Sequence, residues 1–246
     1  MTINWLQAII DLPRSHFDSG RDFWLAVTGC SAGEVHPDHD EYLHLVPPSG
    51  DMHLELQRID DGPAGAHLDL LVDDIAATAA RATELGATVL SRPGHVVMRS
   101  PGGVTFCLVP HNDESERAPL VDDEHAHAVD QICLDIPTAH FDDDVVFWAA
   151  LTGWDTPPPS GRPEFVDLET STPMPLRILL QRLGDDHAHG ASAHLDISCG
   201  QHVEAVTAAH EAAGATVIER FERWTVMSDP AGQRYCLTSR QPYQCG

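Results

Sequence analysis

The chain has 246 residues, 38 acidic side chains against 14 basic ones, and no lysine at all, for a formal net charge of −24. So negative a charge disfavours nucleic acid and anionic membranes as partners, because both need a cationic surface that releases counterions. The 42% hydrophobic and 6% aromatic fractions are those of an ordinary globular protein, and no apolar run approaches the ~20 residues of a membrane span.

Six cysteines stand at 30, 107, 133, 199, 236 and 245, none in a C-x-x-C pair. That spacing argues against a zinc ribbon and suits a reduced compartment. The first residues, MTINWLQAIIDLPRSH, carry neither a basic segment nor a cleavage pattern, so a cytoplasmic protein is expected.

In chain order, Leu6–Leu12 reads as an apolar strand ended by Pro13. Ser15 is placed to cap a helix whose inner face holds Phe17, Phe23, Trp24 and Val27, and Gly29 stops it. Strands follow at Tyr42–Val46 and Met52–Ile59, the second alternating as a half-buried strand does. Ala66–Val72 opens a new unit. Asp73 and Asp74 start its helix, Ile75, Ala79, Ala82 and Leu85 face inward, and Gly86 ends it. Strands are predicted at Thr88–Ser91, His95–Ser100 and Val104–Val109.

The scheme then repeats. AHLDLLVDDIAATAARATELGATV (Ala66–Val89) returns as AHLDISCGQHVEAVTAAHEAAGATV (Ala193–Val217). Asp130–Ile136 matches Leu6–Leu12, Phe147-Trp148 matches Phe23-Trp24, and Gln181-Arg182 matches Gln57-Arg58. The chain is therefore expected to be α+β, with two domains of four strand–helix–strand modules in all. The first domain spans 1–111, with modules 1–60 and 66–110. An acidic linker covers 112–127. The second domain spans 128–241, with modules 129–183 and 193–239.

These landmarks, and closing turns such as SDPAGQRYCL (Ser228–Leu237), resemble the vicinal oxygen chelate superfamily, in particular its tandem glyoxalase-like branch. The resemblance implies βαβββ modules paired into open, cup-shaped barrels that bind small molecules. It also implies site positions on the first and last strand of each module. Carried onto this chain, those positions are Gln7, Glu55 or Gln57, His67 and Cys107 in the first domain, and Gln131, Gln181, His194 and Cys236 in the second. Strand alternation separately puts His53, Glu55 and Gln57 on one face, and His67 with Asp69 on one face. Asp196, Arg177 and Arg234 complete the lining of the second cavity, where the arginines suit a carboxylate.

Metal-using relatives carry a carboxylate where Cys107 and Cys236 stand here. No metal is therefore expected. The lesser alternative is zinc, nickel, iron or manganese held by Glu55, His67 and Gln7. The expected function is binding or sequestration of a small organic molecule without a catalytic metal. The alternative is a lyase or isomerase of the glyoxalase or epimerase type, with His67 and Glu55 as base or ligands. The expected partner is a small molecule, with no nucleic acid and no membrane, in a monomer with an internal pseudo-dimer or a homodimer. The histidine-rich runs HPDHDE, His125–His127 and His187–His189 read as loops able to bind metal adventitiously.

Overall fold

The computed structural model describes residues 2–34, 39–60, 62–91, 94–111, 127–158, 161–184 and 190–242. His125, His187, His189 and nearly all of the acidic linker lie outside them.

The first module is β1 (Ile3–Pro13), a 3-10 turn at Arg14–His16, α1 (Phe17–Thr28), β2 (Ser31–Ala32), β3 (Tyr42–Val46) and β4 (Leu54–Ile59). The second is β5 (Gly65–Val72), α2 (Ile75–Glu84), β6 (Thr88–Ser91), β7 (Val96–Arg99) and β8 (Thr105–Pro110). The third is β9 (Ala128–Pro137), a 3-10 turn at Thr138–His140, α3 (Phe141–Thr152), β10 (Phe165–Leu168) and β11 (Arg177–Leu183). The fourth is β12 (Ser192–Ser198), a 3-10 turn at Gly200–His202, α4 (Val203–Ala212), β13 (Thr216–Arg220), β14 (Trp224–Ser228) and β15 (Arg234–Thr238).

The strands form an eight-stranded sheet, β2-β3-β4-β1-β5-β8-β7-β6, and a seven-stranded sheet, β10-β11-β9-β12-β15-β14-β13. Each order has two free ends, so among the described residues neither sheet closes into a barrel. Within each module the first strand runs parallel to the last where register is defined: β1 with β4, β5 with β8, β12 with β15. Parallel pairing needs a crossover, which the module's helix supplies.

The helices bury what the sequence marks as apolar. Phe23 and Trp24 of α1, and Phe147 and Trp148 of α3, are fully buried. Gly29 and Gly153 end these two helices at φ 66° and 72°, a left-handed bend that glycine adopts without Cβ strain. Ser15 does not cap α1. The preceding 3-10 turn puts His16 at the cap position, and the Ser15 hydroxyl instead bonds the His16 ring at 2.9 Å. Asp74 does cap α2, accepting the Ala77 amide at 2.9 Å.

Contacts divide the chain into two compact units. One comprises Met1–Gln7, His67–Ser115 and Ile132–Ala193; the other comprises Ala8–Ala66, Glu116–Gln131 and His194–Gly246. Each has its own aromatic core. In the first, Phe106 meets Phe147 at 6.0 Å and Trp148 at 5.0 Å, in tilted and edge-on contacts. In the second, Trp24 meets Tyr235 edge-on at 5.3 Å and Phe23 lies 5.9 Å from the same ring. Such pairings each add on the order of 1 kcal/mol to plain burial.

Candidate functional site

On β5 the apolar and polar side chains leave on opposite faces. On β5, Leu68 and Leu70 are completely buried while His67 and Asp69 keep 15% and 14% side-chain exposure. The parallel register sets Asp69 against Cys107 of β8, so the two side chains leave the sheet on one face. The result is a His67–Asp69–Cys107 group whose ligand atoms all lie within 4.8 Å of one another. His67 Nε2 stands 3.6 Å from Asp69 Oδ1. Burial pushes the Cys107 thiol up, while its hydrogen bond with His67 acts in the opposite direction.

The other unit builds the same group from β12 and β15. Asp196 is in register with Cys236, and His194 Nε2 lies 3.4 Å from Asp196 Oδ1. His194, Asp196 and Cys236 satisfy the same 4.8 Å condition. Here Gln131 of β9 donates its amide to Asp196 Oδ2 at 2.5 Å.

The remaining predicted residues divide by neighbour. Glu55 of β4 is buried and pairs with His44 Nε2 at 2.8 Å, directly across the antiparallel β3–β4 ladder. Gln57 donates to the Tyr42 hydroxyl at 3.2 Å two pairs further along, on the same face. His53 precedes β4, is buried, and has Nε2 3.1 Å from the Val129 carbonyl; burial holds its pKa below the usual histidine value. Gln7 of β1 and Arg177 of β11 are half-buried, and Arg234 of β15 is exposed. Gln181 accepts a hydrogen bond from the Cys133 thiol at 3.5 Å. Glu55 belongs to none of the groups of three or more His, Cys, Asp and Glu ligand atoms found among the described residues.

His44 has no forecast in the sequence reading. Its only signal is the alternation YLHLV, which puts Tyr42 and His44 on the polar face. Asp69 is forecast on one face with His67, and Asp196 in the lining of the second cavity. The cross-strand register adds that each directly opposes its cysteine.

The profile of the Glyoxalase-like domain family matches residues 7–109 and again 131–238. The chain belongs to the glyoxalase-like domain family. No curated protein sequence matches it. Among solved structures, the glyoxalase-like chain is similar to a Mn(II)-bound glyoxalase from Novosphingobium aromaticivorans, at 16% identity and a TM-score of 0.67, over 96% of this chain and 82% of that one. It is also similar to 2,2′,3-trihydroxybiphenyl 1,2-dioxygenase from Sphingomonas wittichii strain RW1, at 13% identity and 0.63, over 96% and 90%. A third similar structure is the 2,3-dioxygenase LapB from Pseudomonas sp. KL28, at 15% identity and 0.61, over 96% and 92%. At these identities the likeness is one of fold.

Whether a divalent ion suits this glyoxalase-like site depends on the donors. An imidazole nitrogen, a carboxylate oxygen and a sulfur are each established zinc ligands, and three protein donors leave a coordination position open. Thiolate and carboxylate together would neutralise the ion's charge. The sequence argument against a metal sought a carboxylate on the last strand of the module; Asp69 and Asp196 supply one from the neighbouring strand. The residues fit. Among the described residues no helix is long and apolar enough to cross a membrane.

Proposed function

We propose that the protein binds a small oxygenated organic molecule on the polar sheet face carrying His67, Asp69 and Cys107, and that these three side chains hold a divalent ion there. One observation carries the reading: the same three donors recur in both units from the same strand positions. A free Cys107 thiol, raised by burial, is a poor nucleophile and a poor ligand, so the group has little chemistry of its own until a cation displaces the thiol proton.

When bound, the ion supplies a Lewis acid able to polarise a substrate oxygen. The chain's own residues do the rest. His67 and Asp69 stand 3.6 Å apart on one sheet face, and the low exposure of both limits water at the site. A donor set with one imidazole is not the two-histidine, one-carboxylate arrangement of non-haem iron oxygenases. Within this reading, therefore, a lyase or isomerase reaction is favoured over oxygen chemistry.

A second reading, metal-free binding or sequestration, is favoured by the Gln131 bond to Asp196, which already partners one of that carboxylate's two oxygens. Calorimetry with a panel of hydroxy-thioesters, catechols and hydrophobic cations, before and after chelation, separates the two. The expected result is saturable binding that is lost on chelation, restored by metal, and weakened at least about tenfold in His67→Ala. Binding indifferent to chelation would select the metal-free reading, and no binding across the panel would sink both.

A further inference from the structure

The donor set says which ion. A hard cation such as Mn²⁺ or Mg²⁺ takes carboxylate, carbonyl and water oxygens, whereas a thiolate selects a borderline or soft ion. The two groups that recur, His67–Asp69–Cys107 and His194–Asp196–Cys236, each contain a cysteine that is nearly inaccessible, with Cys107 at 4% and Cys236 at 8% exposure. In neither does the cysteine stand alone: it faces an aspartate in register on the adjacent parallel strand, with a histidine two residues before that aspartate.

We infer that the chain holds two thiolate-ligated sites, His67–Asp69–Cys107 and His194–Asp196–Cys236, built for Zn²⁺ or Co²⁺ rather than Mn²⁺. The inference rests on the proposed reading only in taking the first group as an ion site. It adds the bond through sulfur, the ion class and the second, equivalent site. Binding is balanced simply: each cysteine thiol loses its proton to solvent as the metal–sulfur bond forms, so each ion releases one proton, while aspartate and neutral imidazole bind as they are.

Sulfur is the donor that separates the two ion classes: Cys107 and Cys236 each stand in register with an aspartate on the neighbouring parallel strand, so an ion held beside that aspartate meets a thiolate. The site therefore discriminates through sulfur. A hard ion gains little from the thiolate and leaves the thiol protonated, while a borderline ion gains enough to ionise it.

The test is a titration of the reduced, metal-stripped full chain with Co²⁺, read by near-ultraviolet absorbance and by proton release. Two equivalents of Co²⁺ should bind, each bringing a thiolate-to-cobalt charge-transfer band and one proton. Cys107→Ser and Cys236→Ser should each remove half of the band, and the double variant all of it. Cys107→Asp should keep an ion in the first site, lose that site's band, and lower the ratio of Zn²⁺ to Mn²⁺ affinity there by at least about tenfold. Fewer than two equivalents, cobalt bound without the band, or a band indifferent to both cysteines would overturn the inference. The wild-type titration decides stoichiometry and sulfur ligation even if a variant fails to fold. A chain that gives both bands yet binds no organic ligand would defeat the proposed function while leaving this inference intact.

Discussion

Glu55 has no acidic twin in the second half, where Leu179 stands, and its partner explains what it does in the fold. Its carboxylate lies 2.8 Å from His44 Nε2, and that hydrogen bond raises the His44 pKa against a smaller opposing effect of burial. A histidine whose folded pKa lies above its unfolded one stabilises the fold fully below about pH 6.5, and the contribution is lost as pH rises through the raised value. With 48% of the His44 side chain exposed, the pair is worth less than about 1 kcal/mol. Glu55→Gln should therefore bring the His44 titration midpoint, followed by NMR, back down. It should also destabilise the protein more at low pH than at high pH. A His44 midpoint unmoved by the substitution would show that some other group raises it. The pair was only half legible in the sequence. Alternation put Glu55 on the polar face, but which residue lies across the ladder is fixed by the register between β3 and β4, and the loop between them does not encode that register readably. The same holds for Asp69 with Cys107: alternation put Asp69 on the face of His67, the family resemblance pointed to Cys107, and pairing between strands 38 positions apart brings the two together.

At the scale of elements, the two units solve one packing problem with the carboxylate moved. In one, Asp144 of α3 is completely buried and accepts from the Ser100 hydroxyl at 2.9 Å, the Gly102 amide at 2.8 Å and the Trp148 indole at 3.3 Å. In the other, the acid comes from the strand-connecting turn. Asp229 accepts from the Trp24 indole at 2.9 Å and from the Ala231 and Gln233 amides at 2.8 Å each. The matching position on α1 is Gly20, and the position matching Gly102 is Ala231. The repeat shows these positions lining up, yet only packing shows that one exchange explains both. Gly102 has no room for a side chain, because a Cβ there would fall 2.5 Å from Asp144 Oδ2 and 2.9 Å from Ile136 Cγ2. Asp144→Ala strands a buried amide and an indole N–H and should destabilise by about 3 kcal/mol. Gly102→Ala should cost about 1–3 kcal/mol through overpacking. The double variant should lose measurably less than the sum of the two, since removing the carboxylate clears the nearer clash. Chemical denaturation of the four proteins measures this cycle, and strict additivity would show that the two positions do not share space.

For the whole molecule, stability against pH is a contest among buried titrating groups of opposite sign. Burial raises Asp144 and Asp229 above the ordinary carboxyl value, so in the window between that value and their raised ones the folded protein holds more protons than the unfolded chain. Acidification through that window favours folding, and so does relief of the −24 charge. His210 opposes both. It is buried, shares a 2.9 Å hydrogen bond with the Tyr235 hydroxyl, and lies 5.7 Å from the His127 ring, whose Nε2 donates to the Val27 carbonyl. Burial first, and the neighbouring His127 charge second, lower its pKa to about 4. A lowered histidine means that the unfolded chain takes up its proton first, so stability is lost as pH falls from about 6.5 towards the folded value. Between neutral pH and about pH 5 that loss amounts to about 2 kcal/mol, at 1.36 kcal/mol per pKa unit. The carboxyls contribute with the opposite sign. His210→Gln isolates the histidine: the mutation costs stability at neutral pH through the Tyr235 bond and packing, but the gap between wild type and variant should narrow by about 2 kcal/mol at about pH 5. Because overall charge repulsion is common to both proteins, it cancels in the difference. A gap that stays constant across that range would mean that His210 is hydrated, or already protonated, in the folded state.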